Sequence, residues 1–325
     1  DLNTTGSLTA LGSLSLFANT TGTGNTAIGG QTAAVSNAAL QANTTGYWNT
    51  AVGSGSLQAN TTGAQNAAVG LLALAANTTG LNNTAVGYDA LRLNTTASDN
   101  TAVGVAAGYH NTIGTRNTAV GRSALLQNTN QSYNTAVGFE ALRQNTSGSQ
   151  NTAVGDSALL NNTSGTYNTA VGQGAMVGNT SGVYNTGVGL NALYNSTTAQ
   201  RNTVLGYTAG ANNVTGSYNV YLGSYCGDVA TGSGNVAAGD VALRNCSGSS
   251  NVAIGSAAMG ASTTGNNNVA VGATALDANT TGSNNTALGN AALTNHTTGN
   301  TNVAVGTSAG NDVSTGSGNT AFGYA

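Results

Sequence analysis

The chain has no proline and, in 325 residues, only two cysteines, two histidines, one tryptophan and 5% charged residues. Each shortage excludes something. All six basic residues are arginines (Arg92, Arg116, Arg122, Arg143, Arg201 and Arg244), and they are scattered. Counterion release from a phosphate backbone needs clustered cations, so nucleic acid is not an expected partner. His110 and His296 lie far apart and the nine acidic residues are dispersed, so no metal cluster or convergent acid and base pair is expected. Gly-x-Gly fragments such as Gly232-Ser233-Gly234 lack the lysine of a phosphate loop. The sequence therefore predicts no enzyme and no cofactor. No run approaches 18 apolar residues and no basic-then-apolar segment opens the chain at Asp1, so membrane insertion by this segment is not expected. The 48 glycines follow no period of three, which excludes collagen, and regular Val, Ala and Leu positions argue against disorder.

What the chain has is one motif, Asn-Thr-Ala-Val-Gly, seen at Asn49 to Gly53 and returning from end to end. Its closing glycine recurs every 17 residues, except for one step of 24 (Gly29 to Gly53) and two of 16 (Gly223 to Gly239 to Gly255). A fixed period over the whole length signals a stack of repeats, and 17 residues hold short strands and turns but no useful helix. The fold class predicted is all-β, a parallel β-solenoid (β-roll) of about 19 coils, forming a single repeat domain over residues 1–325. Ends that fall within the repeat suggest a segment of a longer protein.

Numbering the motif's Asn as position 1, the unit continues with Ala and Leu at 8 and 9 and Asn-Thr-Thr-Gly at 12 to 15, as at Asn60 to Gly63. Strand alternation places positions 2 and 4 on one face and 1 and 3 on the other. By hydrophobicity the Thr/Val of position 2, the Val of position 4 and the Leu of position 9 are expected inside, with the alanine row of position 3 pressed against a neighbouring backbone. Position 9 becomes glycine at Gly108, Gly210, Gly227 and Gly310, and Ile113, Val214, Val229 and Val313 are expected to fill the space. Asn-Thr-Thr-Gly reads as a turn, with glycine supplying positive φ, and rows of Asn and Thr are expected to bond from coil to coil.

The pattern breaks in three places. An insertion at 30–38, followed by Trp48, is expected to leave the coil as a surface loop, either a tolerated loop of no consequence or a candidate lateral contact. Cys226 and Cys246 fall in the two short coils, 224–255, and are a candidate disulfide suited to an oxidising compartment. Tyr133, Tyr167, Tyr184 and Tyr218 recur just before the motif's Asn, with Tyr167 and Tyr184 stacking in adjoining coils, as a stripe able to contact sugars or a partner.

Val252 to Ala258 (Val-Ala-Ile-Gly-x-x-Ala), with Val269 to Gly272 and Val303 to Gly306, resembles the head repeat of YadA-type trimeric autotransporter adhesins. Similar Asn-Thr-Ala-Val-Gly arrays look like those in phage tail-fibre shafts. The resemblance implies a left-handed β-roll, three chains around one axis with the small-residue face inward, and an extracellular location on a cell surface, a secreted filament or a virion. The expected function is a structural or adhesive fibre without catalysis, self-associating as a homotrimer or filament and meeting a host surface or glycan. Ice binding and carbohydrate binding are the alternatives.

Overall fold

The structure, a computed structural model, describes residues 8–31 and 37–324. Residues 32–36 of the expected insertion lie outside the described residues. The chain forms two compact units, Asp1–Gly165 and Thr166–Ala325. Each is a parallel β-solenoid built from three-residue strands, β1 (Thr9–Leu11) to β9 (Thr152–Val154) in the first unit and β10 (Thr169–Val171) to β19 (Thr320–Phe322) in the second. Within a unit each coil pairs in register with the next, like residue on like: Thr84 faces Thr101, Ala85 faces Ala102, and Val86 faces Val103. The same holds for Val252 to Ile254 on Val269 to Val271 in the second unit.

The faces of the strand are the reverse of the hydrophobic expectation. Ala85 is fully buried, Thr84 is half-buried and Val86 is 37% exposed, and the order out, in, out recurs strand after strand. Coil width explains the reversal. The segment carrying position 9 lies directly across from the strand, and a side chain built on Gly310 would meet Leu293 at 3.0 Å and the methyls of Ala304 and Ala321 at 3.4 and 3.5 Å. So thin a coil has room for one leucine opposite one methyl, and Val or Thr at position 3 in every coil would overfill it.

Volume is indeed conserved across this gap, but by other partners than those expected. Ile113, Val214 and Val229 point to solvent, at 55%, 40% and 44% exposure, and Val313 sits at position 12. The compensation runs between positions 9 and 3. Gly187 faces Met176, whose Cγ and Sδ lie 3.0 and 3.2 Å from where a methyl would be. Val204 and the ring of Tyr221 fill the space beside Gly210, and the Tyr221 ring fills that at Gly227.

Asparagine supplies the rest of the interior. Positions 1 and 12 are buried wherever they carry Asn between Asn25 and Asn302. The position-1 amide binds three ways: Asn83 donates from its backbone N–H to Asn66 Oδ1 (2.9 Å) and from Nδ2 to Ala97 O (2.8 Å), while its own Oδ1 accepts from Asn100 N (3.0 Å). Position 12 forms a second ladder, in which Asn60 Nδ2 donates to Asn43 Oδ1 (2.8 Å) and to Gly63 O (2.9 Å). Both rows serve the carbonyl of position 15, since Gly63 O also accepts from Asn49 Nδ2 at 2.8 Å.

Left-handed backbone falls elsewhere than in the Asn-Thr-Thr-Gly turn. Positions 7, 9 and 17 carry it, as in Asp89, Leu91 and Asp99 with φ of 58°, 48° and 62°. Glycine thus replaces leucine at position 9 without changing the backbone. The glycine of position 15 serves proximity: a Cβ on Gly63 would sit 2.2 Å from Asn60 Oδ1 and 2.7 Å from Gly80 O. At position 5 both reasons combine, because Gly87 has φ of 135° and a Cβ there would lie 2.5 Å from Gly104 O.

Candidate interaction surface

Positions 2 and 4 form two parallel outward rows that carry no ionisable residue in any coil. In the first unit they are Thr and Val from Thr50–Val52 to Thr152–Val154, with Ala67 the exception at position 2, and the two strands before these carry Leu11 and Ile28 at position 4. From Val220 onward position 2 is mostly Val. Among the described residues, the position-2 hydroxyls, such as those of Thr84, Thr101 and Thr118, have no protein partner, while most position-13 hydroxyls are engaged. Thr61 Oγ1, for example, donates to Thr78 O at 3.1 Å.

Position 17 borders this face and holds the aromatic stripe. Tyr167 and Tyr184 stack with ring centroids 4.8 Å apart and planes 7° apart, as expected. The sequence did not reveal that arginine continues the stack. Arg201 lies 5.8 Å from the Tyr184 centroid and 5.4 Å from that of Tyr218, and its Nη1 donates to the Tyr218 hydroxyl at 3.0 Å. Arg116 holds Tyr133 in the same way, over the ring at 5.4 Å and on its hydroxyl at 2.7 Å. The signal was the 17-residue offset between Arg116 and Tyr133 and between Arg201 and Tyr218. Trp48 is 62% exposed, edge-on to Tyr47 at 5.2 Å, and its indole lies where a side chain of Gly24 would be.

Cys226 and Cys246 do not form the expected bond; both are free and buried. They occupy different points around the coil. Cys226 stands at the small-residue position 8 near Tyr221. Cys246 replaces a position-12 Asn, its Sγ 3.7 Å from Gly248 O and 3.5 Å from Asn251 Nδ2. Burial pushes the Cys226 thiol up to about 12 and raises that of Cys246 as well. Burial also raises the Tyr221 phenol; Asn235 opposes this, but no partner meets the hydroxyl in hydrogen-bond geometry.

Ion pairs form at positions 7 and 10. Arg92 Nη1 binds Asp89 Oδ1 at 3.1 Å and lies over Tyr109, and Arg244 lies over Tyr225 with Nε 3.9 Å from Asp228 Oδ2. Desolvation raises the Asp228 carboxyl, with Arg244 and Asn212 pulling the other way. Among the described residues no three His, Cys, Asp or Glu side chains come together as a metal site, and no helix is long and apolar enough to cross a membrane. No protein-family model matches the chain, and no curated protein is similar enough to carry an assignment.

Proposed function

We propose that this chain is a shaft segment of an extracellular fibre on a cell surface, filament or virion, and that copies associate side by side as a homotrimer or filament through the Thr/Val face. The observation that carries this reading is the uncharged double row of positions 2 and 4, presented outward in coil after coil instead of being enclosed. A repeated apolar surface of this kind favours burial against another copy. The alanine row is already enclosed within its own coil, so association would have to use the Thr/Val face and not the small-residue face that the resemblance implies.

Sedimentation of the chain over a wide concentration range tests it. Association is expected, and Val137→Lys with Val154→Lys should abolish it while leaving the β-sheet spectrum intact. A monomer at every concentration would overturn the proposal.

One observation favours ice binding as a second reading, namely that the position-2 hydroxyls are outward and unengaged. Against it, the face is two rows wide and is flanked by large groups at Trp48, Arg116, Tyr133, Arg122 and Phe139. Thermal hysteresis of the monomer would establish it, and its absence would remove it.

A further inference from the structure

We propose that the end of the aromatic ladder in the second unit is a carbohydrate site, in which the free face of Tyr218 stacks against the C–H face of a neutral pyranose ring. The ladder runs Tyr167, Tyr184, Arg201, Tyr218 along position 17, and in the next coil that position is Gly234. A Cβ on Gly234 would find only Ser250 within 4 Å, its Oγ at 3.7 Å and its N at 3.9 Å, so the space beside the Tyr218 ring is open. The contrast is Gly24, at the corresponding position of a first-unit coil, where the Trp48 indole comes within 2.3 Å of the equivalent point and closes the gap. Two coil steps separate Tyr218 from Ser250, roughly 9.6 Å. After one ring half-thickness on the Tyr218 side, that spacing admits a single six-membered ring at van der Waals distance.

Preorganisation favours this end of the ladder over its middle. The faces of Tyr167 and Tyr184 that meet are unavailable, whereas Tyr218 is 56% exposed. Arg201 covers the back of the Tyr218 ring and holds its hydroxyl at 3.0 Å, so the side chain is already fixed and little rotamer entropy is lost on binding. The rim is hydroxylic and not charged. Ser233 Oγ accepts from Ser217 N at 3.0 Å and Ser249 Oγ from Ser233 N at 3.1 Å, which leaves both O–H groups to donate to sugar hydroxyls. An uncharged rim and one apolar ring face match a neutral sugar better than an acidic one.

This inference goes beyond a shaft role and does not depend on it, since the slot lies within one chain. The test is saturation-transfer NMR with calorimetric titration of the full chain, against glucose, galactose, mannose, N-acetylglucosamine and their short oligomers. Binding in the millimolar range is expected for at least one of them. Tyr218→Ala should weaken it at least tenfold, and Tyr167→Ala should change it less than twofold. Gly234→Tyr is the decisive variant. Position 17 already carries tyrosine at φ near that of Gly234 (62° at Tyr218 against 70°), so this variant should fold with an unchanged or raised melting temperature while filling the slot and weakening binding at least tenfold. Failure of every sugar to bind, or binding that survives Gly234→Tyr, overturns the proposal. Sedimentation of the same samples reports separately on association.

Discussion

The two units solve one packing problem differently. In the first, position 3 is Ala in every strand and the position-12 asparagines bond in sequence, from Asn43 on Asn19 to Asn162 on Asn145. In the second, position 12 reads Ser196, Ala230, Cys246, Ser262, His296 and Val313 at six of its places, and position 3 admits Gly187, Val204 and Tyr221. Position 1, by contrast, is Asn throughout the second unit. The difference separates what a coil must have from what it can exchange. Losing a position-12 Asn leaves the position-15 carbonyl still bonded by position 1: Gly232 O keeps Asn219 Nδ2 at 2.9 Å although Ala230 offers nothing. At Ala230 the consequence falls on a neighbour, Asn213 Oδ1, which is buried without a partner. No second group stands in for position 1.

The largest expected effect tests that asymmetry. Asn83→Ala strands the N–H of Asn100, at about 1–3 kcal/mol, and takes one of two bonds from the carbonyl of Ala97, which keeps Asn94 Nδ2 at 3.1 Å, at about 0.5–1.5 kcal/mol, so a loss of about 1.5–4.5 kcal/mol is expected. Asn268→Ala should cost as much in the second unit, while Asn77→Ala at position 12 should cost about half. Chemical denaturation read by unit-resolved hydrogen exchange measures all three, and equal losses at Asn83 and Asn77 would erase the distinction between the rows.

Next in size is the irregular core of the second unit. Tyr221→Ala should destabilise by about 3–5 kcal/mol through the cavity it leaves. Gly227→Leu alone should also destabilise, because a Cβ there lies 2.7 Å from three atoms of the Tyr221 ring. The double variant rebuilds the Ala and Leu pair of a regular coil and should recover a large part of either loss, so a double-mutant cycle that sums to zero coupling would refute the pairing.

Alkali should distinguish the units next. Raised folded-state values at Cys226 and Tyr221 stabilise the neutral forms, so their contribution is complete below the unfolded thiol value near pH 9. It is lost as pH climbs toward about 12, at about 1.4 kcal/mol per pH unit for the thiol. The second unit should therefore open first in an alkaline titration followed by hydrogen exchange, and Cys226→Ala should reduce its sensitivity. Simultaneous opening of both units would contradict this.

The smallest effect is expected at His296, fully buried at position 12 with Nδ1 2.9 Å from Val313 O and Nε2 2.8 Å from Gly299 O. Restoring the common residue by His296→Asn should change the melting temperature by the equivalent of about 1 kcal/mol or less, in either direction.

Period, parallel pairing and register were legible in the sequence because a 17-residue repeat leaves few ways to stack like on like. The orientation of the strand was not, because hydrophobic ranking presumes a core several side chains thick. Where a position-9 side chain such as Met176 nearly touches the opposite strand, backbone groups at the turns lie inside as well, and asparagine competes for the interior on hydrogen bonding instead of hydrophobicity. The clue available was the constancy of Asn at position 1 beside the small residue at position 3, against the freer exchange of Thr50 for Ala67 or Val220 at position 2. Stacking of Tyr167 on Tyr184 followed from register alone. The role of Arg201 did not, since a scattered arginine reads as surface charge until its neighbours one coil away are considered.

The Asn49 carboxamide binds the backbone of Asn66, that of Asn66 binds Asn83, and so on along the row. Every repeat completes the bonding of the one after it. Duplication or deletion of one whole seventeen-residue module therefore leaves no amide orphaned and no register shifted, and the length of such a protein can grow or shrink by recombination within its gene without any change to the design of a single coil.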